Sequence, residues 1–280
     1  MKIRLDKLLV ERGLAPSRER AQALILAGRV LVAEQKLDKP GHAVPFDAPI
    51  RLLGSDLRYV SRGGLKLEAA LAHWSIDLHG RFCLDVGAST GGFTDCMLQH
   101  RAARVLAIDT GYGQIAQSLR DDPRVTLMER TNARLLSPGD LPPGITFFSI
   151  DVSFISATLV LPPVLAAFAK PSALDVDPSD PGVLKGHDFS HADEIPRKGG
   201  ASAPEGSPLE TVILIKPQFE AGREHVGKGG IVRDPAAHQL AIDRVRACVA
   251  DLGATSIDVI DSPITGAEGN REFLLHARWL

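Results

Sequence analysis

Cysteines, long apolar runs and the glycine fingerprints of phosphate binding are scarce or missing in this sequence of 280 residues. The three cysteines, Cys83, Cys96 and Cys248, lack metal-ligand spacing, so we expect reduced core residues and no bound metal. No apolar run approaches the roughly 20 residues that cross a bilayer, which predicts no membrane association. The first residues lack the apolar core of a signal peptide, so we expect a cytoplasmic protein.

The net charge of −2 conceals an uneven distribution along the chain. Residues 1–60 hold eleven Lys and Arg against seven Asp and Glu, a charge of +4, and the remainder holds 21 against 27, a charge of −6. A basic unit ahead of an acidic body indicates a docking module for a polyanion. Chance variation of the surface explains the charge equally well.

The first 53 residues have the pattern of a small α+β unit. Helical periodicity over 4–13 is followed by Ser17, an N-cap candidate for a helix over 18–27. Residues 29–33 predict a short strand. We therefore expect an N-terminal domain of two short helices and small strands that ends near residue 53.

This unit resembles the small RNA-binding domain of a small-subunit ribosomal protein, bacterial tyrosyl-tRNA synthetases and many pseudouridine synthases. The resemblance is carried by Arg4-Leu5-Asp6, Ser17-Arg18, Ala21, Ile25, Gly28, Val30 and Val32. It implies RNA binding by shape and phosphate contact, with the candidate residues Arg4, Lys7, Ser17, Arg18, Arg20, Arg29 and Lys36. The turn Val32-Ala33-Glu34 departs from the family's Val-Asn-Gly. The alternative is an ordinary helical hairpin with solvated arginines.

A strand, a glycine-rich loop and a helix follow one another between Phe82 and Gln99. The loop spacing is neither GxGxxG nor GxxxxGKS/T, so it favours a ligand of nucleoside size without a pyrophosphate. S-adenosylmethionine is the first candidate, because glycines allow backbone N–H groups to approach a ligand closely. The candidate cofactor-binding residues of this stretch are Asp85, Gly87, Ala88, Ser89, Gly91, Gly92 and Phe93.

Two further side chains are candidates for contacts with an adenosyl group. Asp109 ends a predicted strand, where a carboxylate can accept hydrogen bonds from both ribose hydroxyls. Asn132 follows the next strand and either reaches the adenine or forms a turn. Acids such as Asp109 also serve NAD, so the pair alone does not identify the cofactor.

Strands and helices alternate through the rest of the chain. We predict strands at 82–86, 104–109, 124–129, 145–150, 211–216, 255–260 and 272–279, and helices at 65–74, 92–99, 113–121, 156–169 and 235–252. This alternation predicts an α/β fold with a mostly parallel, seven-stranded sheet covered on both faces.

The predicted domain boundaries follow from composition. Residues 54–62 form a linker, and 63–280 form the α/β domain, with Gly63 and Gly64 breaking the chain before its first helix. Residues 171–208 are rich in proline and acidic residues without apolar periodicity, which indicates a flexible insertion. The insertion is either a tolerated surface segment or a partner-binding one.

Asp151 and Lys216 each end an apolar strand. Ligands bind at the carboxyl ends of parallel strands. A lysine that closes a buried strand needs a partner, because burying an ammonium group is costly. Asp151 is the expected partner, and the pair serves either chemistry or structure.

Five longer motifs resemble those of the TlyA (hemolysin-like) ribosomal RNA methyltransferases, whose catalytic domain is similar to the FtsJ-type ribose 2′-O-methyltransferases. They begin at Tyr59, Asp85, Asp151, Ile215 and Gly266, and the resemblance covers nearly the whole chain except 171–208. It implies a Rossmann-like methyltransferase fold. It also implies a lysine–aspartate–lysine–glutamate catalytic set, which maps onto Lys66, Asp151, Lys216 and Glu272.

The resemblance implies methyl transfer from S-adenosylmethionine to a ribose 2′-hydroxyl, in cytidine of ribosomal RNA or ribosomal subunits. Lys216 would take the hydroxyl proton or stabilise the developing alkoxide, and Asp151 and Glu272 would orient the lysines. Two alternatives are a membrane-active hemolysin and a non-catalytic RNA-binding protein with a vestigial methyltransferase domain. The first predicts a membrane-inserting segment, and the second predicts loss of catalytic positions, which are all filled.

Overall fold

The computed structural model describes residues 2–15, 17–53, 58–168, 208–266 and 268–279. They divide into two compact units, Met1–Arg58 and Tyr59–Leu280. The predicted insertion at 171–208 lies outside the described residues except for its last position. No helix among the described residues has the length and apolar character needed to cross a membrane.

The first unit is α+β. Its elements are β1 (Lys2–Arg4), α1 (Leu5–Glu11), α2 (Arg18–Leu26), β2 (Val30–Val32), β3 (Gln35–Lys36), β4 (Ala43–Pro45) and β5 (Ile50–Leu52). β1 pairs with β4, and β2 lies between β3 and β5. The helices pack through fully buried Leu5, Leu9 and Ile25. The two predicted helices and the strand after them are therefore present.

The second unit is built on one seven-stranded sheet, ordered β11-β12-β10-β9-β6-β7-β8. Only β12 runs antiparallel to its neighbours. The strands are β6 (Phe82–Val86), β7 (Arg104–Ile108), β8 (Val125–Met128), β9 (Ile145–Ile150), β10 (Leu209–Ile215), β11 (Ser256–Asp261) and β12 (Phe273–Trp279). The predicted mostly parallel sheet is confirmed.

Helices cover both faces of this sheet, because its parallel strands carry apolar residues on both sides. Phe148 lies in the core beneath α6 and α8, whereas its neighbour Phe147 points to the core beneath α3 and α4. The helices are α3 (Gly63–His73), α4 (Gly92–Gln99), α5 (Gln117–Arg120), α6 (Ala157–Ala167), α7 (Pro217–Glu220) and α8 (Pro235–Asp251).

Two helix predictions are wrong at their start. The helix predicted over 113–121 exists only as the single turn α5, because Gly113 has a φ of +68° and donates its N–H to Glu129. Helix α3 begins at Gly63 rather than after the glycine pair. A Cβ on Gly64 would lie 2.3 Å from Cγ of Tyr59, so this glycine serves close packing instead of breaking the chain.

Candidate active site at the carboxyl ends of the strands

The glycine loop joins β6 to α4 at the edge where the parallel strands end. Gly87 has a φ of +87°, and a Cβ there would lie 2.4 Å from the main-chain oxygen of Asp151. Gly91 has a φ of +93° and precedes the first turn of α4. Both positions require glycine, because L side chains rarely adopt this conformation. The loop therefore lies against the end of β9, next to a predicted catalytic residue.

A cavity of about 280 Å³ opens beside this loop. Eight residues predicted from the sequence line it, namely Lys66, Gly87, Ala88, Ser89, Gly92, Phe93, Asp151 and Lys216. Ser61, Arg62, Thr90, Ser153, Ile264 and Thr265 also line it and were not predicted. Side chains from distant parts of the sequence thus meet at the carboxyl ends of the strands, where open α/β sheets bind ligands.

The four residues of the predicted catalytic set form two ion pairs. Nζ of Lys66 lies 2.5 Å from a carboxylate oxygen of Glu272, and Nζ of Lys216 lies 2.6 Å from Oδ1 of Asp151. Both lysines are 8% exposed and Glu272 is 3% exposed. Each buried ammonium thus has one carboxylate, which offsets the cost of its desolvation.

The Lys216–Asp151 contact is an ion pair without hydrogen-bond geometry. Lys216 donates instead to the hydroxyl of Ser153, at 2.9 Å. Oδ1 of Asp151 is buried and accepts no hydrogen bond from the described residues. Buried polar atoms are nearly always hydrogen-bonded, so the ion pair with Lys216 is the contact that compensates the burial of this oxygen.

Asp85, predicted to bind cofactor, occupies a different position. It is fully buried and accepts hydrogen bonds from the hydroxyls of Thr94, at 2.7 Å, and Ser149, at 3.0 Å. It does not line the cavity beside the glycine loop. Burial raises its pKa to about 6, although the two hydroxyls oppose the change. The geometry makes Asp85 a tie between β6, α4 and β9 beneath the loop.

Asp109 lies at the end of β7 and contacts the glycine loop. Its carboxylate accepts the N–H of Ser89 at 2.8 Å and that of Gly111 at 2.7 Å. It lines a second, small cavity that shares Ala88 and Ser89 with the first. This placement is compatible with the predicted ribose contact, which stays a prediction.

Asn132 does not line either cavity. Its side-chain oxygen accepts the N–H of Arg134 at 3.1 Å and caps the 3₁₀ turn Ala133–Leu135. The turn-forming alternative therefore describes its present contact, and contact with adenine stays a prediction.

Among the residues at this edge that the sequence analysis did not predict are two with exposed side chains, Arg62 and Phe154. Arg62 is exposed, lines the cavity and forms no ion pair with the described residues. Phe154 is 92% exposed, has a φ of +64°, and lies 5.5 Å from the ring of Phe219. Each lies three residues after the start of a family-like motif, at Tyr59 and Asp151, but exposure and backbone strain cannot be read from a sequence.

The residues predicted to bind RNA divide into two groups within the first unit. Arg4 and Arg18 both pair with the fully buried Asp6, at 2.9 Å. The hydrogen bond from Arg4, and to a smaller extent the one from Arg18, holds the pKa of Asp6 well below its usual value, although burial opposes them. These arginines therefore have a structural partner and about half of each side chain in solvent.

The other members of the set differ in their contacts. Ser17 caps α2 by accepting the N–H of Arg20 at 3.2 Å, and Arg29 donates to the main-chain oxygen of Leu53 at 2.9 Å. Lys7 and Lys36 are exposed. Their contact with RNA stays a prediction.

Comparison with known proteins matches each of the two units to a protein family. Residues 59–279 match the FtsJ-like methyltransferase family, and residues 3–50 match the S4 domain. YqxC of Bacillus subtilis, named as a presumed rRNA methyltransferase, is 45% identical over 279 residues. The alignment covers 99% of this chain and 86% of that protein.

A second relative carries a more specific name. The TlyA protein of Mycobacterium tuberculosis, named a 16S/23S rRNA (cytidine-2′-O)-methyltransferase, is 39% identical, with 98% of this chain and 89% of that protein covered. The solved structure of a presumed hemolysin from Streptococcus thermophilus shares 39% identity and a TM-score of 0.65, covering 99% of this chain and 88% of that one. The chain therefore belongs to the TlyA group of the FtsJ-like methyltransferase family and carries an S4 domain ahead of its methyltransferase domain.

Proposed function

We propose that the protein transfers a methyl group from S-adenosylmethionine to a ribose 2′-hydroxyl of ribosomal RNA, with cytidine as the target nucleoside. The observation that carries the proposal is the pair of buried lysine–carboxylate contacts, Lys66 with Glu272 and Lys216 with Asp151. The Lys216 pair lies beside a glycine loop that borders the same cavity. The name of the TlyA relative supports the same substrate.

The residues around the cavity fit S-adenosylmethionine. Gly87 and Gly92 leave no side chain between the loop and the neighbouring elements, since a Cβ at either position would lie within 2.5 Å of other atoms. The loop and the Asp109 carboxylate would hold the adenosyl part, as acids at this strand end do in nucleoside sites. When bound, this cofactor supplies a methyl group activated by a sulfonium.

The chain's own residues would position the hydroxyl and handle its proton. A 2′-hydroxyl is a weak nucleophile that must lose its proton as it attacks, so the ammonium of Lys216 or its neutral amine is placed to stabilise the oxygen or accept the proton. Asp151 orients Lys216, and Glu272 orients Lys66. Separate carboxylates limit repulsion between the two cations.

The RNA would be held by several surfaces. In the S4 unit, Lys7 and Lys36 are exposed, form no ion pair with the part of the chain that the structure describes, and can bind phosphates. In the methyltransferase unit, Arg62 can bind a phosphate at the cavity, and the ring of Phe154 can stack on an exposed base. With a ribosomal substrate, we expect the protein to act in the cytoplasm.

The direct test is to incubate the purified protein with labelled S-adenosylmethionine and separated ribosomal subunits or their RNAs, and to map the methylated nucleotide. We expect label on the 2′-oxygen of a cytidine. Failure of every RNA and subunit to take up label would refute the proposal and favour a vestigial domain. Leakage of liposomes at low protein concentration would favour the hemolysin alternative.

A further inference from the structure

The segments that follow β9 and β10 contact each other along their length. From the cavity outward, the contacts are Asp151 with Lys216, Ser153 with Lys216, Phe154 with Phe219, and Ser156 and Ala157 with Glu220. The first contact belongs to the proposed catalytic set, and the last lies outside the cavity. The two segments are thus connected from the cavity to their outer end, where the contact is made by a buried carboxylate.

Glu220 is 5% exposed, and among the described residues its carboxylate bonds only to the other segment. One oxygen accepts the N–H of Ala157 at 2.7 Å, and the other accepts the hydroxyl of Ser156. No cation among the described residues forms an ion pair with it, although Arg244 donates to its main-chain oxygen at 2.6 Å. Burial raises its pKa, and the bonds from Ser156 and Ala157 oppose the rise.

The segment that Glu220 holds is strained. Phe154 has a φ of +64°, a left-handed conformation that is strained in a bulky residue and persists only where neighbouring structure enforces it. Its ring rests on Phe219 but is otherwise in solvent, so ring burial contributes little to holding this shape. The bonds to Glu220 begin two residues later and are buried polar contacts placed to hold it.

We propose that Glu220 is a positioning residue, which holds the segment 151–157 against 216–220 so that Lys216 and Asp151 meet at the reacting hydroxyl. The inference rests on the proposed function of that pair. Glu220 lies four residues after Lys216, and Ser156 lies five residues after Asp151. Without the outer contact, the segment can relax from its strained shape, and the distance between the two reacting side chains is no longer set.

The test compares Glu220→Ala and Glu220→Gln in the full-length protein, with kcat, the Kd for S-adenosylmethionine and the melting temperature measured for each. Because a misplacement of about 1 Å can cost about 100-fold in rate, we expect kcat of the alanine variant to fall by about that factor. Its cofactor Kd should stay within about three-fold, since the loop that binds cofactor is untouched. Glutamine keeps an acceptor for Ala157 and a partner for Ser156, so it should restore most of kcat.

Glu210→Ala is the matched control, because Glu210 is another buried carboxylate, near the opposite end of β10. It should lower the melting temperature while kcat of the folded protein is retained. If Glu220→Ala does not fold, Ser156→Ala is the second variant. It removes the hydroxyl that donates to the Glu220 carboxylate, and with it one of the two hydrogen bonds that this carboxylate accepts from the described residues, and it should lower kcat about ten-fold. A wild-type kcat in Glu220→Ala or Ser156→Ala, or equal losses in the alanine and glutamine variants, would overturn the inference. An inactive wild-type protein would instead refute the proposed function.

Discussion

The two ends of strand β10 carry charged clusters that are built differently. At the carboxyl end, Lys216 has one carboxylate, which belongs to Asp151, and both line a cavity. Near the amino end, Glu210 is contacted by three basic side chains, Arg81 at 2.7 Å, His276 at 2.8 Å and Arg278 at 2.7 Å.

The difference lies in how completely the polar atoms are satisfied. Both oxygens of Glu210 accept hydrogen bonds, and the ring of Trp74 stacks on His276 at 5.1 Å, which closes the cluster. At the other end, Oδ1 of Asp151 accepts no hydrogen bond from the described residues. A cluster with all its bonds made stabilises the fold, whereas one with spare capacity can bind a ligand. Burial and charge alone do not distinguish the two.

The sharpest test of this contrast is Lys216→Ala. Lys216 is proposed to stabilise the developing alkoxide or to accept the hydroxyl proton. Removing its side chain should therefore lower kcat by about 10²- to 10⁴-fold. The Kd for S-adenosylmethionine should change little, because the glycine loop is unchanged. Single-turnover methylation and cofactor-binding calorimetry measure the two quantities. Near-normal turnover would remove Lys216 from the chemistry and leave both clusters as structural.

Glu210→Ala should lower the stability of the fold and leave kcat unchanged, which is the reverse of the effect expected for Lys216→Ala. It leaves Arg81 and Arg278 without their buried partner, and breaking such a pair costs about 3–5 kcal/mol of unfolding free energy. Urea unfolding of variant and wild type measures the loss, and kcat determined well below the transition should be retained. A stability close to wild type would show that the saturated cluster is not what holds this end of the sheet.

The two ends should also respond to pH with opposite signs. Burial raises the pKa of Glu210, but the hydrogen bonds from His276, Arg81 and Arg278 outweigh it and lower the pKa to about 2. Its stabilisation is present above the unfolded pKa of 4.5 and is lost as pH falls toward 2. Asp85, at the site end, has its pKa raised from 3.8 to about 6, so its contribution is present at low pH and is lost as pH rises through that interval.

Each group should change the unfolding free energy by about 3 kcal/mol across its own interval. Urea unfolding at a series of pH values, with Glu210→Gln and Asp85→Asn as controls, separates the two. The Gln variant should flatten the acid limb alone, and the Asn variant should flatten the slope between pH 3.8 and about 6 alone. A single variant that removed both slopes would contradict their independence.

The smallest expected effect is that of Trp74→Phe. The change removes the hydrogen bond from Nε1 to Asp258, at 2.9 Å, and keeps an aromatic ring against His276. A net loss of about 1 kcal/mol of stability is expected for one hydrogen bond. Thermal unfolding measures it, and methylation kinetics should be unaltered. A fall in kcat at constant stability would mean that the two ends of the sheet are coupled.

Much of the fold was predictable because it depends on local patterns. Short apolar runs alternating with helical patterns predicted the seven strands of the sheet and most of its helices. The helix expected over 113–121 failed, because the Glu129 bond to Gly113 and the positive φ of that glycine depend on a neighbouring strand. The glycine pair before α3 was misread for a similar reason, since Tyr59 decides its packing.

The candidate site was predictable in its membership and less so in its contacts. Lys66, Asp151 and Lys216 do line one cavity. Asp85 was expected beside the cofactor but lies buried beneath the loop, and Asn132 caps a turn. Both residues have the chemistry of a ligand contact. Which neighbour satisfies a carboxylate or an amide depends on side chains that are far away in the sequence.

The order of residues along this chain determined the elements, their succession along the chain and the types of group available for chemistry, because periodicity and turn residues act over a few positions. Apart from the Lys216–Asp151 pair, which the strand ends predicted, the tertiary structure decided which charges meet. Glu272 and Lys66 are 206 residues apart, and Glu220 reaches Ala157 across 63. Contacts at such separation depend on how the sheet brings strand ends together, and no local pattern encodes their distance or their degree of saturation.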